Sequence, residues 1–186
     1  NMRLILTLSI IVIFIQTGFG QTYFDVTKDF PCSGCPNPYQ PNADIDSVTH
    51  YDMSKIKNVF QKIATESNIE FNYPQGGCQQ RAQIVSMLLK KVHNIDHFRV
   101  WLFAPINLDK NSNVTLEIKD KNDFSSSGKI SWNYHVAPVI RITLNGKIEN
   151  FVIDPSINPV DVIPLSDWLK AIGNSEKSKY TFLSAD

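Results

Sequence analysis

The chain has 186 residues, with 18 basic and 18 acidic side chains and a formal net charge of zero. That balance, with no basic block able to track a phosphate backbone, argues against a nucleic-acid partner. Cys32 and Cys35 stand close together in the chain, so Cys78 is the odd thiol of three.

Residues 1–20 read as a secretory signal peptide. Arg3 is their one charge, Leu4 to Ile15 is a nearly unbroken apolar run of 12 residues, and Gly18-Phe19-Gly20 offers a small-residue cleavage site. A membrane span needs roughly 20 apolar residues, so the expectation is a secreted or periplasmic protein that leaves the membrane with its signal. Residues 21–50, rich in proline, asparagine and aspartate, read as an extended arm, and residues 51–186 as a single domain. Within the arm, a local Cys32–Cys35 disulfide suits an oxidising compartment. Metal or redox use, or pairing of one of them with Cys78, is the alternative, although Pro36, Pro38 and Pro41 forbid the helix that a thioredoxin-like motif would open.

Met53, Ile56, Val59, Phe60, Ile63 and Ala64 recur at helical spacing and predict a helix of about four turns ending before Asn68. Tyr73-Pro74-Gln75-Gly76-Gly77 breaks the chain, and a second helix opens at Cys78 with a buried stripe of Ala82, Val85, Leu88, Leu89 and Val92. Alternation around Phe98, Val100 and Leu102, and again around Val114, Leu116 and Ile118, predicts two strands joined by a polar loop. Asp120 to Gly128 reads as disordered. Ile130 to Leu144 and Lys147 to Ile153 flank Asn145-Gly146, whose two residues suit the positive φ angles of a tight hairpin turn. Pro164 to Ile172 predicts a last short helix stopped at Gly173. The fold class is therefore α+β, two helices followed by an antiparallel sheet.

The hairpin brings two more reactive residues into register. A two-residue loop pairs Leu144 with Lys147, so Ala137 faces Asp154, and His135 shares Asp154's face as its diagonal neighbour. Diagonal pairs lie about 7–8 Å apart at Cα, within reach of a histidine–carboxylate hydrogen bond. Pro138 lacks the N–H this register wants, so a bulge or fraying ladder is expected there. Cys78, His135 and Asp154 thus form a candidate catalytic set. A free thiol with a pKa of about 8.5 is mostly protonated at neutral pH, and a helix N-terminus with a neighbouring imidazolium favours the thiolate. The histidine protonates a leaving group, and the aspartate fixes its tautomer. Cys78's backbone N–H is a candidate oxyanion donor, with Gln75 a second by position. Singly, each of the three more often serves structure: cysteine and histidine in a core, aspartate before proline in a turn. His93 and His97 have the spacing of a metal pair but lack a third ligand in sequence, so no metal or other cofactor is expected.

These motifs resemble the bacterial secreted protein-glutaminase family, which deamidates glutamine side chains within proteins on a papain- or transglutaminase-like core. The resemblance lies in Cys78-Gln79-Gln80-Arg81-Ala82, in Trp132-Asn133-Tyr134-His135-Val136-Ala137 and in Ile153-Asp154-Pro155-Ser156, with Gln83 departing from an expected histidine. It implies Cys78 as nucleophile, His135 as general acid and base, Asp154 as the residue orienting it, and glutamine-bearing proteins or peptides as substrates. Family members often carry an inhibitory pro-region, for which Gln21 to Gly77 leaves little room, so activity is expected to be unrestrained after export or restrained by a separate inhibitory partner. The same three residues also suit a transglutaminase-like acyltransferase or a cysteine peptidase. A secreted binding protein with a relict site is the non-catalytic alternative.

Overall fold

The computed structural model describes residues 44–72 and 74–185, all within a unit spanning Cys35–Asp186. The expected signal peptide, the Cys32–Cys35 pairing and most of the arm lie outside the described residues. The arm's described end is ordered: a helical turn at Ile45–Ser47 is gripped by Arg141, whose guanidinium donates to the Asp46 carbonyl at 2.7 Å and its carboxylate at 2.8 Å.

Strand β1 (His50–Asp52) leads into helix α1 (Met53–Glu66). Ile56, Phe60 and Ile63 of α1 are buried, and Asn68 at φ 55° turns the chain out of it. Helix α2 (Cys78–Met87) begins after Gly77, whose φ of 75° suits a residue without Cβ. It runs into a π-helical turn at Leu88–Val92. That wider turn rotates the end of the predicted stripe, so Leu89 is buried but Val92 is 65% exposed, a correction to the uniform helix.

Strand β2 (Phe98–Phe103) is followed by a single turn, α3 (Pro105–Leu108), then β3 (Leu116–Lys119), β4 (Lys129–Trp132) and β5 (Tyr134–Leu144). β6 (Lys147–Val152), β7 (Ile163–Pro164), α4 (Leu165–Ala171) and β8 (Lys179–Ser184) complete the order. The main sheet runs β7-β6-β5-β2-β8, and β1 joins it in parallel beside the outer half of β5. Asn145 and Gly146 take φ of 52° and 76°, and the β5–β6 register runs from Leu144↔Lys147 to Val139↔Val152, as expected.

Three expectations need correction. Ile130 to Leu144 is two strands, because the chain breaks at Asn133, whose carbonyl accepts from Ala104 N at 2.8 Å and Asn107 Nδ2 at 2.7 Å. β3 pairs with β4 in a separate two-stranded sheet rather than forming a simple pair with β2. The segment Asp120 to Gly128 is organised around the Asp120 carboxylate, which accepts from the backbone of Asn122 at 2.9 Å and Ser125 at 2.6 Å.

The main sheet carries a core on each face. α1 and α2 bury Phe60, Ile63, Val85 and Leu89 against Ile140, Ile142, Phe151 and Ile153. On the opposite face Leu116, Ile130, Trp132, Trp168 and Ile172 pack on Val100, Leu102, Ala137 and Val139. Alternation along β5 makes this division, and it turns His135 towards the two tryptophans.

Candidate active site

Three elements converge where β5 begins. Helix α2 packs on β5, and its first residue, Cys78, carries a free, partly exposed thiol. His135 is the second residue of β5, and Asp154 stands two residues beyond the end of β6. The β5–β6 ladder stops at Val139↔Val152, one pair short of Pro138, and Ile153 N still donates to the Pro138 carbonyl at 2.9 Å. The proline therefore ends the regular pairing without changing the face on which Asp154 emerges.

His135 Nε2 lies 2.8 Å from Asp154 Oδ2, with both side chains almost wholly buried. The same carboxylate oxygen accepts from Trp168 Nε1 at 2.9 Å, while Oδ1 accepts from the Ser156 backbone N–H at 3.2 Å and from the Ser156 hydroxyl. Four donors thus converge on one carboxylate. The imidazole is also sandwiched, 4.5 Å from the Trp132 ring at 10° and 5.6 Å from the Trp168 ring at 22°. Trp132 Nε1 in turn donates to the Pro74 carbonyl at 2.8 Å, tying the loop before Cys78 to the histidine's own wall.

Burial opposes charge on His135, but the Asp154 charge and hydrogen bond, with the nearby Cys78 thiol, outweigh it and push its pKa up to about 9. Burial also opposes charge on Asp154, yet His135, Ser156 and Trp168 hold its carboxyl below the usual carboxylate range. With Nε2 committed to Asp154, the other ring nitrogen, Nδ1, makes no hydrogen bond among the described residues, and Cys78 lies close enough to act on the ring's charge. Tyr134 lies near enough to Cys78 for the thiol's charge to reinforce the effect of burial, and its pKa is raised.

The structure therefore brings Cys78, His135 and Asp154 together. Gln75 lies in the loop before Cys78, with both side-chain amide atoms buried and without a hydrogen-bond partner among the described residues. His97 is buried with Nδ1 3.0 Å from the Ile95 carbonyl, and among the described residues no three His, Cys, Asp or Glu side chains form a metal-sized cluster. Sequence reasoning missed Trp168 and Ser156 as partners of Asp154. Ser156 had a signal, because a residue two beyond an aspartate commonly donates its N–H back to the carboxylate. Trp168 had none, since α4 reaches the site only through the tertiary fold.

A helix-borne thiol over a mixed sheet, with the histidine on one strand and the aspartate just beyond the end of its neighbour, defines the papain- and transglutaminase-like α+β class. Residues 56–172 match the glutaminase family, and the chain belongs to it; it is a deamidating hydrolase. The fold is similar to the NMR structure of protein-glutaminase from Chryseobacterium proteolyticum, with a TM-score of 0.57 and 20% identity over 73% of each chain. A crystal structure of protein-glutaminase matches at a TM-score of 0.57 and 18% identity over 74% of each chain. A structure of pro-protein-glutaminase matches at 0.59 and 20%, over 74% of this chain but 49% of that longer one. No curated protein matches the chain.

Proposed function

We propose that the protein is exported and deamidates glutamine side chains in proteins or peptides through a Cys78 acyl-thioester. The observation that carries this reading is the buried His135–Asp154 pair, which fixes the imidazole and leaves Nδ1 beside a free thiol at a helix N-terminus. The Cys78 thiolate attacks the carboxamide carbon, and the oxyanion takes the Cys78 backbone N–H as a donor. The C–N bond breaks as His135 delivers its proton from Nδ1, and ammonia leaves. Water then attacks the thioester and gives a proton back to Nδ1. The C–S bond breaks, glutamate departs, and the thiolate returns.

Protein substrates are supported by the protein-glutaminases that share the fold. Export is supported by the apolar run of residues 4–15. Among the described residues no helix is long and apolar enough to cross a membrane. A partner that restrains the enzyme is part of the reading, supported by the pro-form among the similar structures.

The test incubates the protein with a glutamine peptide blocked at both ends and follows ammonia and intact mass. A gain of about one dalton without cleavage, lost in Cys78→Ala, is the expected result. Cleavage of the peptide, or a product appearing only with an added amine, would replace deamidation with peptidase or acyl-transfer chemistry on the same residues.

A further inference from the structure

We infer that a groove beside Cys78 holds the substrate polypeptide next to its target glutamine, and that Arg99 on its floor selects an acidic side chain about three residues away. The groove has a volume of about 470 Å³. Gln79, Gln83 and Ile84 line it from α2, Arg99 and Trp101 from β2, and Val136 from β5. It borders the cavity at the candidate active site, with which it shares the lining residues Ala82 and Val136. The inference rests on the deamidase reading and names what that site accepts.

The charge in the groove points to the occupant. Arg99 donates through Nη1 to Gln83 Oε1 at 2.8 Å and through Nη2 to the Ser184 carbonyl at 3.1 Å. Its Nε is buried without a hydrogen-bond partner. Both acceptors are neutral, and among the described residues no carboxylate pairs with this guanidinium. The other described arginine on the main sheet, Arg141, does have one, in Asp46. A guanidinium presents a fork of donors that matches a carboxylate, so Arg99 offers a charge that an acidic side chain can meet. Trp101, stacked 6.0 Å from Phe103 and tilted 5.6 Å from Tyr134, supplies a fixed aromatic wall for the apolar part of the same segment.

Register sets the spacing. Val136 pairs with Trp101 and Pro138 with Arg99, so Arg99 stands three residues along β5 from His135. At a strand rise of about 3.3 Å that is about 10 Å, the reach of three residues of an extended substrate.

The test uses blocked peptides that differ only in one residue, Glu or Lys, placed three positions before or after a single glutamine. In the wild-type protein, attraction of Glu and repulsion of Lys on one side of the glutamine should give about a tenfold preference in kcat/KM, carried mainly by KM. Arg99→Glu should invert that ratio, and about 0.5 M salt should compress it. Should Arg99→Glu fail to fold, Arg99→Gln and the wild-type salt series read the same ratio. A wild-type ratio within twofold on both sides, or a preference that survives loss of the guanidinium, would overturn the inference while leaving the deamidase reading intact. Peptides that all remain unchanged would remove that reading and this inference with it.

Discussion

Replacing Asp154 by Asn should convert His135 from a persistently charged imidazolium into an ordinary or weakly basic buried histidine, with nearly the same geometry. Four donors face the carboxylate, and an amide offers only one acceptor oxygen. With that oxygen towards His135 and Trp168, the amide NH2 meets the Ser156 hydroxyl, which can rotate to accept, and the Ser156 N–H, which cannot. The opposite orientation sets NH2 against the Trp168 N–H as well, so the first is preferred. One buried backbone N–H is stranded, at a cost of about 1–3 kcal/mol in stability. The charge effect is separate. Holding the imidazolium up to about 9 rather than 6.5 corresponds to about 3 kcal/mol of preference for the charged ring. Without the carboxylate charge, burial acts against the cation and the pKa falls to 6.5 or below. The protonated fraction at pH 8 then drops from about 0.9 to about 0.03, whereas at pH 5.5 both forms are largely protonated. The ratio of mutant to wild-type kcat/KM should therefore fall roughly 30-fold between pH 5.5 and pH 8. The assay is ammonia release from a blocked glutamine peptide across that range. An alkaline limb that stays near 9 in Asp154→Asn would refute the reasoning, because Asp154 would then not be what keeps the imidazole charged.

The pair also sets a stability window. His135, with its pKa raised, stabilises the fold fully below about 6.5 and loses that contribution as pH rises through about 9. Asp154, with its pKa lowered, contributes above about 3.8 and loses that as pH falls. The Tm difference between wild type and Asp154→Asn should be largest between these limits, and a difference independent of pH would contradict it. Trp132→Phe keeps a ring against His135 but removes the hydrogen bond to Pro74, costing about 1 kcal/mol. It should lower kcat more than it raises KM, because the loop it fastens leads directly to Cys78, the proposed nucleophile; equal effects on both would argue against that link. Gly77→Ala has room for its Cβ, 3.4 Å from Arg81 Nη1, but must hold φ at 75°, at a cost of about 1–2 kcal/mol. Relief of that strain would tilt the start of α2, so activity should fall further than Tm alone accounts for, with wild-type activity at a lowered Tm the opposing result.

The hairpin shows what was legible in the sequence. Asn145-Gly146 prescribes a turn, the turn prescribes a register, and the register alone places His135 diagonal to Asp154. Cys78 at the head of a helix was equally local, because Gly77 marks the break before it. What could not be read was long range. The change of sheet at Asn133 depends on contacts from Ala104 and Asn107, the latter 26 residues upstream, and reads in sequence as one continuous strand. The π turn at the end of α2 leaves no periodic signature over so few residues, and Val92 was misassigned for that reason. Trp168 reaches Asp154 from a helix whose placement follows from packing across the sheet, so the carboxylate's full set of donors was invisible to spacing.

The two tryptophans help explain why a charged pair is tolerated in so apolar a setting. Burying an ion pair is costly, and an uncovered imidazolium at the end of a strand would be hydrated and free to turn about its side-chain torsions. Trp132 and Trp168 close both faces of the ring, excluding water and restricting that rotation, while their quadrupoles present negative charge to the cation between them. Each also has a polar tether: Trp168 donates to Asp154, and Trp132 to the Pro74 carbonyl in the loop before Cys78. The edges of the ring are left for chemistry, one held by Asp154 and the other left for Cys78. A histidine fixed this way can carry a proton between leaving group and water without a change of rotamer, which is what a two-step acyl transfer asks of it.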